Sequence, residues 1–374
     1  MIARRSLALL PFAAPAAQAQ PRETIVQSER ARFRVTAFAT GLDHPWGAAF
    51  LPDGRMVVTE RPGRMRIIAP DGAVSAPLGG VPEVEARGQG GLLDVQIAPD
   101  FAATREVFLT AAALTEQGAL TRLWRARLAA DGSRLEDART LLDATPAQAE
   151  GRQHYGSRIA FGRDGFLYMS TGERNERSRS QKLNDLAGKV LRLTRDGQPA
   201  PGNPFLGRGD ARPEIYSYGH RNPQGLAVQP GTGTLFAAEF GPRGGDEINV
   251  IRPGANYGWP TVSHGREYHG PRISDRTEAP GIENPAHVWV PSVSPSGIAF
   301  HQGEAFPGWR GNLLVAALNT PGLVRLTVEG DRVTGEERML WGLLRLRHVV
   351  AGPDGRVYLL VDQSNGRILR LDPA

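Results

Sequence analysis

The stretch WGAAFLPDGRMVVTERPGRMRII, residues Trp46–Ile68, carries the pattern that decides the fold. An apolar run leads into Pro52-Asp53-Gly54, a second apolar run follows, and a short turn leads into a third. Glycine accepts the positive φ of a tight turn and aspartate bonds its own backbone, so this tripeptide is typical of a β-hairpin. The flanking runs alternate apolar and polar residues, as half-buried strands do. The stretch therefore predicts a small antiparallel sheet.

The same hairpin pattern recurs along the chain. Its copies are Trp46–Ile68, Leu93–Leu114, Ser157–Glu173, Gly225–Gly241, Ser296–Leu318 and His348–Leu371. One such unit cannot bury both of its faces, whereas a ring of units can, and radial repetition also protects the sheet edges. The copies predict an all-β fold, a six-bladed β-propeller formed by one domain over residues 20–374. The alternative is a β-sandwich of unrelated hairpins, which does not account for such regular reuse of one hairpin.

The spacing of the copies exceeds that of a minimal propeller blade, and the excess is predicted to be loop. The predicted loops are residues 82–91, 115–119, 174–186, 196–218 and 260–295. Loops carry binding sites when a rigid scaffold positions them, and those of a propeller gather at the mouths of its channel. We therefore expect a site at a channel mouth.

The bulk composition excludes several classes of protein. The 374 residues are 40% hydrophobic and 22% charged and include no cysteine, which excludes disulfides and a cysteine nucleophile. The formal net charge of +5 comes mostly from scattered arginines without interleaved aromatics, so no nucleic-acid partner is predicted. Apolar runs of about 18 residues are missing, so no membrane-spanning helix is expected. The P-loop, nucleophile-elbow and H-E-x-x-H motifs are also missing.

The N-terminal segment has the features of a secretory signal. Arg4 and Arg5 precede a short apolar stretch, and Ala17-Gln18-Ala19 fits a small-x-small cleavage site. The segment predicts a signal peptide over residues 1–19 and a periplasmic or secreted protein. A frayed, alanine-rich terminus is the alternative.

A histidine and a glutamate flank the hairpin of the third copy. His154 lies just before its first strand, and Glu173 lies at the end of its second strand. Histidine in a channel could act as a general base because its pKa is near neutral, and a carboxylate on its far ring nitrogen would fix the tautomer. A loop histidine with an ordinary hydrogen bond and a surface glutamate are the alternatives.

Two further segments suggest binding of charged groups. Arg221, Arg345 and Arg347 precede the fourth and sixth copies, where converging guanidinium groups would bind a polyanion. The segment EFGPRGGDEINVIRPGANYGWP is acidic and glycine-rich, and its carboxylates and carbonyls would suit calcium. Solvated loop arginines and an ordinary acidic loop are the alternatives.

Taken together, these segments resemble the soluble quinoprotein sugar dehydrogenases, the glucose/sorbosone dehydrogenase family, and within it the aldose sugar dehydrogenase branch. The resemblance runs from about residue 40 to residue 373. It is carried by GLDHPWGAAFLPDGRMVVTERPGRM, GQGGLLDVQIAPDF, HYGSRIAFGRDGFLYMSTGE, GKVLRL, YSYGHRNPQGLAV, EFGPRGGDEINVI, GANYGWP and RLRHVVAGPDG. No single motif is decisive, but the ordered set is specific. The resemblance implies a six-bladed propeller that binds pyrroloquinoline quinone (PQQ) and calcium over the channel.

The resemblance also implies residue roles. His154 matches the base that takes the proton of the sugar C1 hydroxyl while hydride passes to PQQ, and Glu173 matches its acidic partner. Arg221 matches the group that stabilises developing negative charge. The matching cofactor contacts are Gln89, Arg221, Asn222, Arg345 and Arg347. Carbonyls of Gly241 and Pro242 match calcium ligands, and Glu247 and the Tyr257 carbonyl resemble ligands of a second, structural calcium.

The chain departs from the family pattern at three places. Asn319 stands where the family usually has a lysine that contacts PQQ, and as a cofactor-binding residue its amide can form a hydrogen bond but cannot supply that charge. His348 follows Arg347 where aspartate is usual. The 260–295 loop is short compared with the glucose-specific branch, which indicates a more open sugar site.

The sequence therefore predicts a PQQ- and calcium-dependent aldose dehydrogenase that forms lactones. Its electrons would pass to a quinone or a soluble redox carrier, and the protein would be a monomer or homodimer. The alternatives are a redox-inactive ligand-binding propeller, suggested by Asn319, and a calcium-dependent lactonase.

Overall fold

The computed structural model describes residues 24–374, and the signal peptide predicted for residues 1–19 lies outside the described residues. The first half of this part of the chain forms strands β1 (Thr24–Gln27), β2 (Arg32–Leu42), β3 (Pro45–Phe50), β4 (Met56–Glu60), β5 (Arg64–Ile68), β6 (Leu92–Ile97), β7 (Glu106–Thr115), β8 (Gly118–Leu128), β9 (Leu135–Asp143), β10 (Ile159–Phe161), β11 (Leu167–Thr171) and β12 (Lys189–Leu193). The second half forms β13 (Ile215–Tyr218), β14 (Pro223–Val228), β15 (Leu235–Glu239), β16 (Asp246–Ile251), β17 (His287–Trp289), β18 (Pro295–Phe300), β19 (Leu313–Ala317), β20 (Gly322–Glu329), β21 (Arg332–Met339), β22 (Leu346–Ala351), β23 (Val357–Val361) and β24 (Gly366–Pro373). Helical structure among the described residues is limited to α1 (Phe101–Thr104) and to 3-10 turns at Arg177–Gln181 and Pro307–Trp309. None of these helices could cross a membrane.

The strands form six antiparallel sheets arranged as the blades of a propeller, which confirms the predicted fold. Blade one contains β3–β5, and blades two to five contain β6–β9, β10–β13, β14–β17 and β18–β21. Blade six contains β22–β24 followed by β2 and β1. The first strands of neighbouring blades contact one another, so they line the central channel.

The ring closes through a strand that the repeat pattern does not reveal. β2 pairs antiparallel with β24, so that Phe33 lies opposite Pro373 and Leu42 lies opposite Gly366. The last blade therefore combines both ends of the described chain. Apolar side chains of successive sheets pack together between the blades; the largest cluster includes Val57 of blade one with Leu109 of blade two.

The hairpin turns form for the reason that the sequence suggests. Gly54 has a φ of +84°, and the Asp53 carboxylate accepts the backbone N–H of Arg55 at 3.1 Å. In the last blade Asp354 accepts the backbone N–H of Arg356 at 3.1 Å in the same way.

The loop predictions are wrong at three places. Within 115–119, β7 and β8 continue to a tight turn, and Thr115 pairs with Gly118. The segments 196–218 and 260–295 contain β13 and β17, the fourth strands of blades three and four. These strands are four and three residues long, too short for a clear alternation of apolar and polar residues.

Candidate active site

A cavity of about 470 Å³ lies at one mouth of the channel, where the first strands of the blades begin. Its walls come from segments that immediately precede those strands and from turns that follow the second strands. The lining residues include His44, Trp46, Arg61, Gln89, His154, Arg221, Asn222, Gln224, Gly241, Pro242, Tyr268, Leu318, Asn319, Arg345, Arg347 and Asp362. The structure therefore brings together nine of the predicted site residues from five blades.

His154 and Glu173 form a buried pair at this cavity. Nδ1 of His154 lies 3.0 Å from Oε1 of Glu173, and the two residues are 6% and 1% exposed. The backbone N–H of His154 donates to the Gln89 side-chain oxygen at 2.9 Å, and the backbone N–H of Glu173 donates to the Arg221 carbonyl at 2.9 Å. The pair is thus anchored from both neighbouring blades.

The surroundings of His154 favour its neutral form. Burial lowers the pKa of His154 below its usual value of 6.5, against the opposing effect of the Glu173 carboxylate, and the Arg221 charge lowers it further. Because a carboxylate only accepts hydrogen bonds, the neutral ring carries its proton on Nδ1 and exposes a lone pair on Nε2. His154 can therefore act as a base toward a group in the cavity.

Arginine charge dominates the cavity wall. Among the described lining residues, four are arginines (Arg61, Arg221, Arg345 and Arg347), and Asp362 is the single carboxylate. Nη2 of Arg347 and Nε of Arg345 donate to Oδ2 of Asp362 at 2.6 Å and 3.2 Å. Burial opposes ionisation of Asp362, but Arg347, His44 and Arg345 together hold its pKa well below the usual carboxylate range. The remaining positive charge suits an anionic ligand.

Three side-chain amides add hydrogen-bond donors to the same wall. The Asn222 oxygen accepts the backbone N–H of Gly156 at 3.0 Å, the Gln89 oxygen accepts that of His154, and the Gln224 oxygen accepts from Arg347 at 2.6 Å. Within residues 24–374, no hydrogen bond is donated by their amide nitrogens. The wall therefore presents donors to a ligand that is rich in acceptor oxygens.

Asn319 also lines the cavity, at the turn after β19. Its side-chain oxygen accepts the backbone N–H of Thr320 at 3.1 Å, and its own backbone N–H donates to the Val293 carbonyl at 3.2 Å. The position therefore faces the cavity and contributes no charge there.

The backbone of Gly241 and Pro242 forms another part of the wall. A Cβ on Gly241 would lie 2.2 Å from the Gly244 carbonyl oxygen, so only glycine fits. The backbone N–H of Gly241 donates to Asp246 at 2.7 Å, and its carbonyl accepts from Nη1 of Arg221 at 3.0 Å. A cation at this carbonyl would therefore lie close to the Arg221 guanidinium.

Glu247 and Tyr257 do not line the main cavity. They lie with Glu239 around a separate hollow of about 10 Å³, enough for one water-sized group. Burial and the neighbouring Glu239 carboxylate raise the pKa of Glu247 to about 8. In residues 24–374 no three histidine or acidic side chains form a metal-binding group, so both calcium sites stay predictions.

His220, in contrast to His154, does not line the cavity. It is 0% exposed, and its ring nitrogens lie 2.9 Å from Ser217 Oγ and from Glu239 Oε1. The ring stacks on Tyr257 at 4.6 Å between centroids. It supports the turn that carries Arg221.

His44, Trp46, Gln224 and Asp362 also line the cavity, and the sequence patterns did not predict them as site residues. A weak signal was present, since a carboxylate lies at the end of the second strand or one or two residues beyond it in blades one, three, four and six: Glu60, Glu173, Glu239 and Asp362. Asp362 lies 2.8 Å from Nδ1 of His44, which repeats the histidine–carboxylate arrangement across the junction of blades six and one.

Comparisons with known proteins identify the family of the chain. The sequence model of the family described as Glucose / Sorbosone dehydrogenase matches residues 42–370. The chain is 43% identical over 337 residues to aldose sugar dehydrogenase YliI of Escherichia coli strain K12, covering 89% of this chain and 91% of that protein.

Solved structures show the same relationship. The apo-form of the soluble aldose sugar dehydrogenase from Escherichia coli superimposes with a TM-score of 0.88 and 41% identity, covering 91% of this chain and all of that one (100%). The PQQ-bound aldose sugar dehydrogenase from Streptomyces coelicolor gives a TM-score of 0.76 and 34% identity, covering 91% and 98%. The resemblance predicted from the sequence is confirmed: the chain belongs to the glucose/sorbosone dehydrogenase family of enzymes.

Proposed function

We propose that the protein is a PQQ-dependent aldose sugar dehydrogenase that oxidises the C1 hydroxyl of its substrate to a lactone. One observation carries the proposal: the His154–Glu173 pair and four arginines lie at the same cavity. A base alone would suit many reactions. A base beside a donor-lined, cationic pocket suits oxidation of a hydroxyl group next to a polyanionic cofactor.

The residues present fit PQQ by charge. PQQ carries three carboxylates, and the described wall has four arginines against one carboxylate. Arg345 and Arg347 would hold carboxylates, while Arg221, Asn222 and Gln89 would contact further oxygens. When bound, PQQ supplies the two-electron acceptor for the hydride that leaves the sugar C1.

His154 supplies the proton chemistry. Its Nε2 would take the proton of the C1 hydroxyl, because Nδ1 is committed to Glu173. The Glu173 carboxylate would stabilise the imidazolium that forms and keep the ring oriented. Arg221, whose guanidinium reaches the cavity, would offset negative charge that develops near the acceptor.

Calcium would assist at two places. Carbonyls of Gly241 and Pro242 would bind an ion beside the cofactor, and Glu247 with the Tyr257 carbonyl would bind a structural ion in the smaller hollow. Both sites rest on the family resemblance and on the oxygen chemistry of these groups.

The N-terminal segment supports a proposal about where the protein acts, and the cavity supports one about its substrates. We propose a periplasmic or secreted enzyme, a monomer or homodimer, that passes electrons to a quinone or a soluble redox carrier. Tyr268 lines the cavity and is 59% exposed, and the short 260–295 loop supports an open sugar site.

Reconstitution tests the proposal. Purified protein receives PQQ and calcium, then aldoses and a dye acceptor, and we expect dye reduction. His154→Ala should lose turnover while PQQ binding, measured by calorimetry, is largely kept. PQQ binding without oxidation of any sugar would instead indicate a redox-inactive binding protein, and lactone hydrolysis without PQQ would indicate a lactonase.

A further inference from the structure

Gln224 is a buried residue of the cavity wall that the proposed mechanism does not use. It lies in β14, is 7% exposed, and directly follows the turn that carries Arg221 and Asn222. A buried polar side chain at a ligand cavity needs partners for both ends of its amide. Among residues 24–374, a partner is found for the oxygen end alone.

The contact with Arg347 fixes the orientation of the amide. Nη1 of Arg347 lies 2.6 Å from Oε1 of Gln224, and Ser296 Oγ lies 3.4 Å from the same oxygen. A guanidinium group has donors only, so the atom that faces it must be the amide oxygen. The NH2 group of Gln224 must therefore point away from Arg347.

The backbone of Gln224 is held as firmly as its side chain. Its backbone carbonyl accepts a hydrogen bond from Nε of Arg158 at 2.9 Å, and Nη1 of Arg158 donates to Asp94 at 2.7 Å. Arg158 is 1% exposed and Asp94 is 0% exposed. The glutamine thus lies on a rigid support that links blades two, three, four and six.

We propose that Gln224 is a further cofactor-binding residue, which orients Arg347 through its amide oxygen and donates an N–H to an acceptor oxygen of the bound anion. Gln89 and Asn222 have the same arrangement. In each, the side-chain oxygen accepts a hydrogen bond from a backbone N–H, and the amide nitrogen has no partner within residues 24–374. This inference rests on the proposed function, because the anion is the PQQ of that proposal.

The Gln224→Glu variant separates binding from structural support. A carboxylate at this position still accepts from Arg347, so folding stability should be kept. It removes the N–H donor and places negative charge against an anionic ligand. We expect PQQ affinity, measured by calorimetry, to fall at least about tenfold, which is the worth of one hydrogen bond to a charged group.

Gln229→Glu is the matched control. Gln229 follows β14, is 8% exposed, and donates to the Gly330 carbonyl at 3.0 Å outside the cavity. Its variant should bind PQQ as the unmodified protein does. Gln224→Met, which removes both hydrogen-bonding functions with little change of volume, should also weaken PQQ binding and provides a second variant if the glutamate disturbs folding.

The outcomes are distinct. Unaltered PQQ affinity in both Gln224 variants would overturn the role of Gln224 and leave the proposed function standing. Reduced thermal stability without reduced affinity would show a purely structural residue and overturn it as well. Failure of the unmodified protein to bind PQQ would overturn the proposed function and this inference together.

Discussion

Nη2 of Arg347 donates to Oδ2 of Asp362 at 2.6 Å, and the two side chains are 10% and 6% exposed. The same carboxylate lies 2.8 Å from Nδ1 of His44 and accepts from Arg345. Asp362 is therefore the counter-charge of the cationic cavity wall and joins blade six to the entry of blade one.

Replacing Asp362 by asparagine should destabilise the protein at neutral pH by about 3 kcal/mol, since a buried cation loses its partner. The folded-state pKa of Asp362 is lowered, so its stabilisation is complete above the ordinary carboxylate range and is lost as the pH falls through the lowered pKa. Urea unfolding should thus show a difference from the unmodified protein at pH 7 that shrinks in strong acid. Asp196→Asn, at a surface pair with 69% exposure, should cost less than about 1 kcal/mol.

Replacing Glu173 by glutamine should lower turnover about 100-fold, because the imidazolium form of His154 loses its counter-charge while the hydrogen-bond geometry is kept. Glu173 raises the pKa of His154, so its removal should move the acidic limb of the kcat/KM profile to lower pH. Steady-state kinetics over the acidic range checks both effects. A limb that moves to higher pH would contradict the assignment of His154 as the base.

Replacing Asn319 by lysine should tighten PQQ binding about tenfold, because a charge-assisted hydrogen bond replaces a neutral one. Calorimetry of the two proteins measures the change. Thr320→Lys adds the same charge at the next residue, which does not line the cavity, and should leave affinity near that of the unmodified protein. Equal effects of both variants would show general electrostatic attraction rather than a direct contact.

Removing calcium should reveal the role of Glu247. With calcium at a concentration of about 100 times the dissociation constant, binding would stabilise the unmodified protein by about 2.7 kcal/mol. Glu247→Gln should abolish that gain, measured as the difference in thermal unfolding with calcium and with a chelator. Glu329→Gln, on the exposed end of β20, should retain it. A calcium effect that persists in the Glu247 variant would place the structural ion elsewhere.

Local sequence patterns predicted the blades because each hairpin is a short-range structure. The turn at Asp53 and Gly54 forms from neighbouring residues, and its apolar flanks determine which strand faces are buried. The same reasoning failed for β13 and β17, since such short strands depend on a neighbouring strand for their pairing. It also missed β2, whose partner β24 lies at the opposite end of the chain.

The candidate site was predicted only in part. The His154–Glu173 pair lies within one blade, so hairpin register alone brings its members together, and the structure places them 3.0 Å apart. Most other residues came from the family resemblance, and the cavity unites them. Gln224 was not predicted from the sequence because a glutamine in a strand has many ordinary roles. The contact with Arg347 is what shows that its NH2 group is free to donate to a ligand.

The sequence by itself determined the repeat, the all-β class and the positions just before the first strands where polar side chains collect, because strand alternation and turn chemistry act over a few residues. Tertiary structure alone decided which side chains of different blades meet. His44 and Asp362 are 318 residues apart and Gln224 and Arg347 are 123 apart, yet each pair is in hydrogen-bond contact. Ring closure brings the first and last blades together, and packing around the channel joins side chains whose separation in the chain no local pattern can bridge.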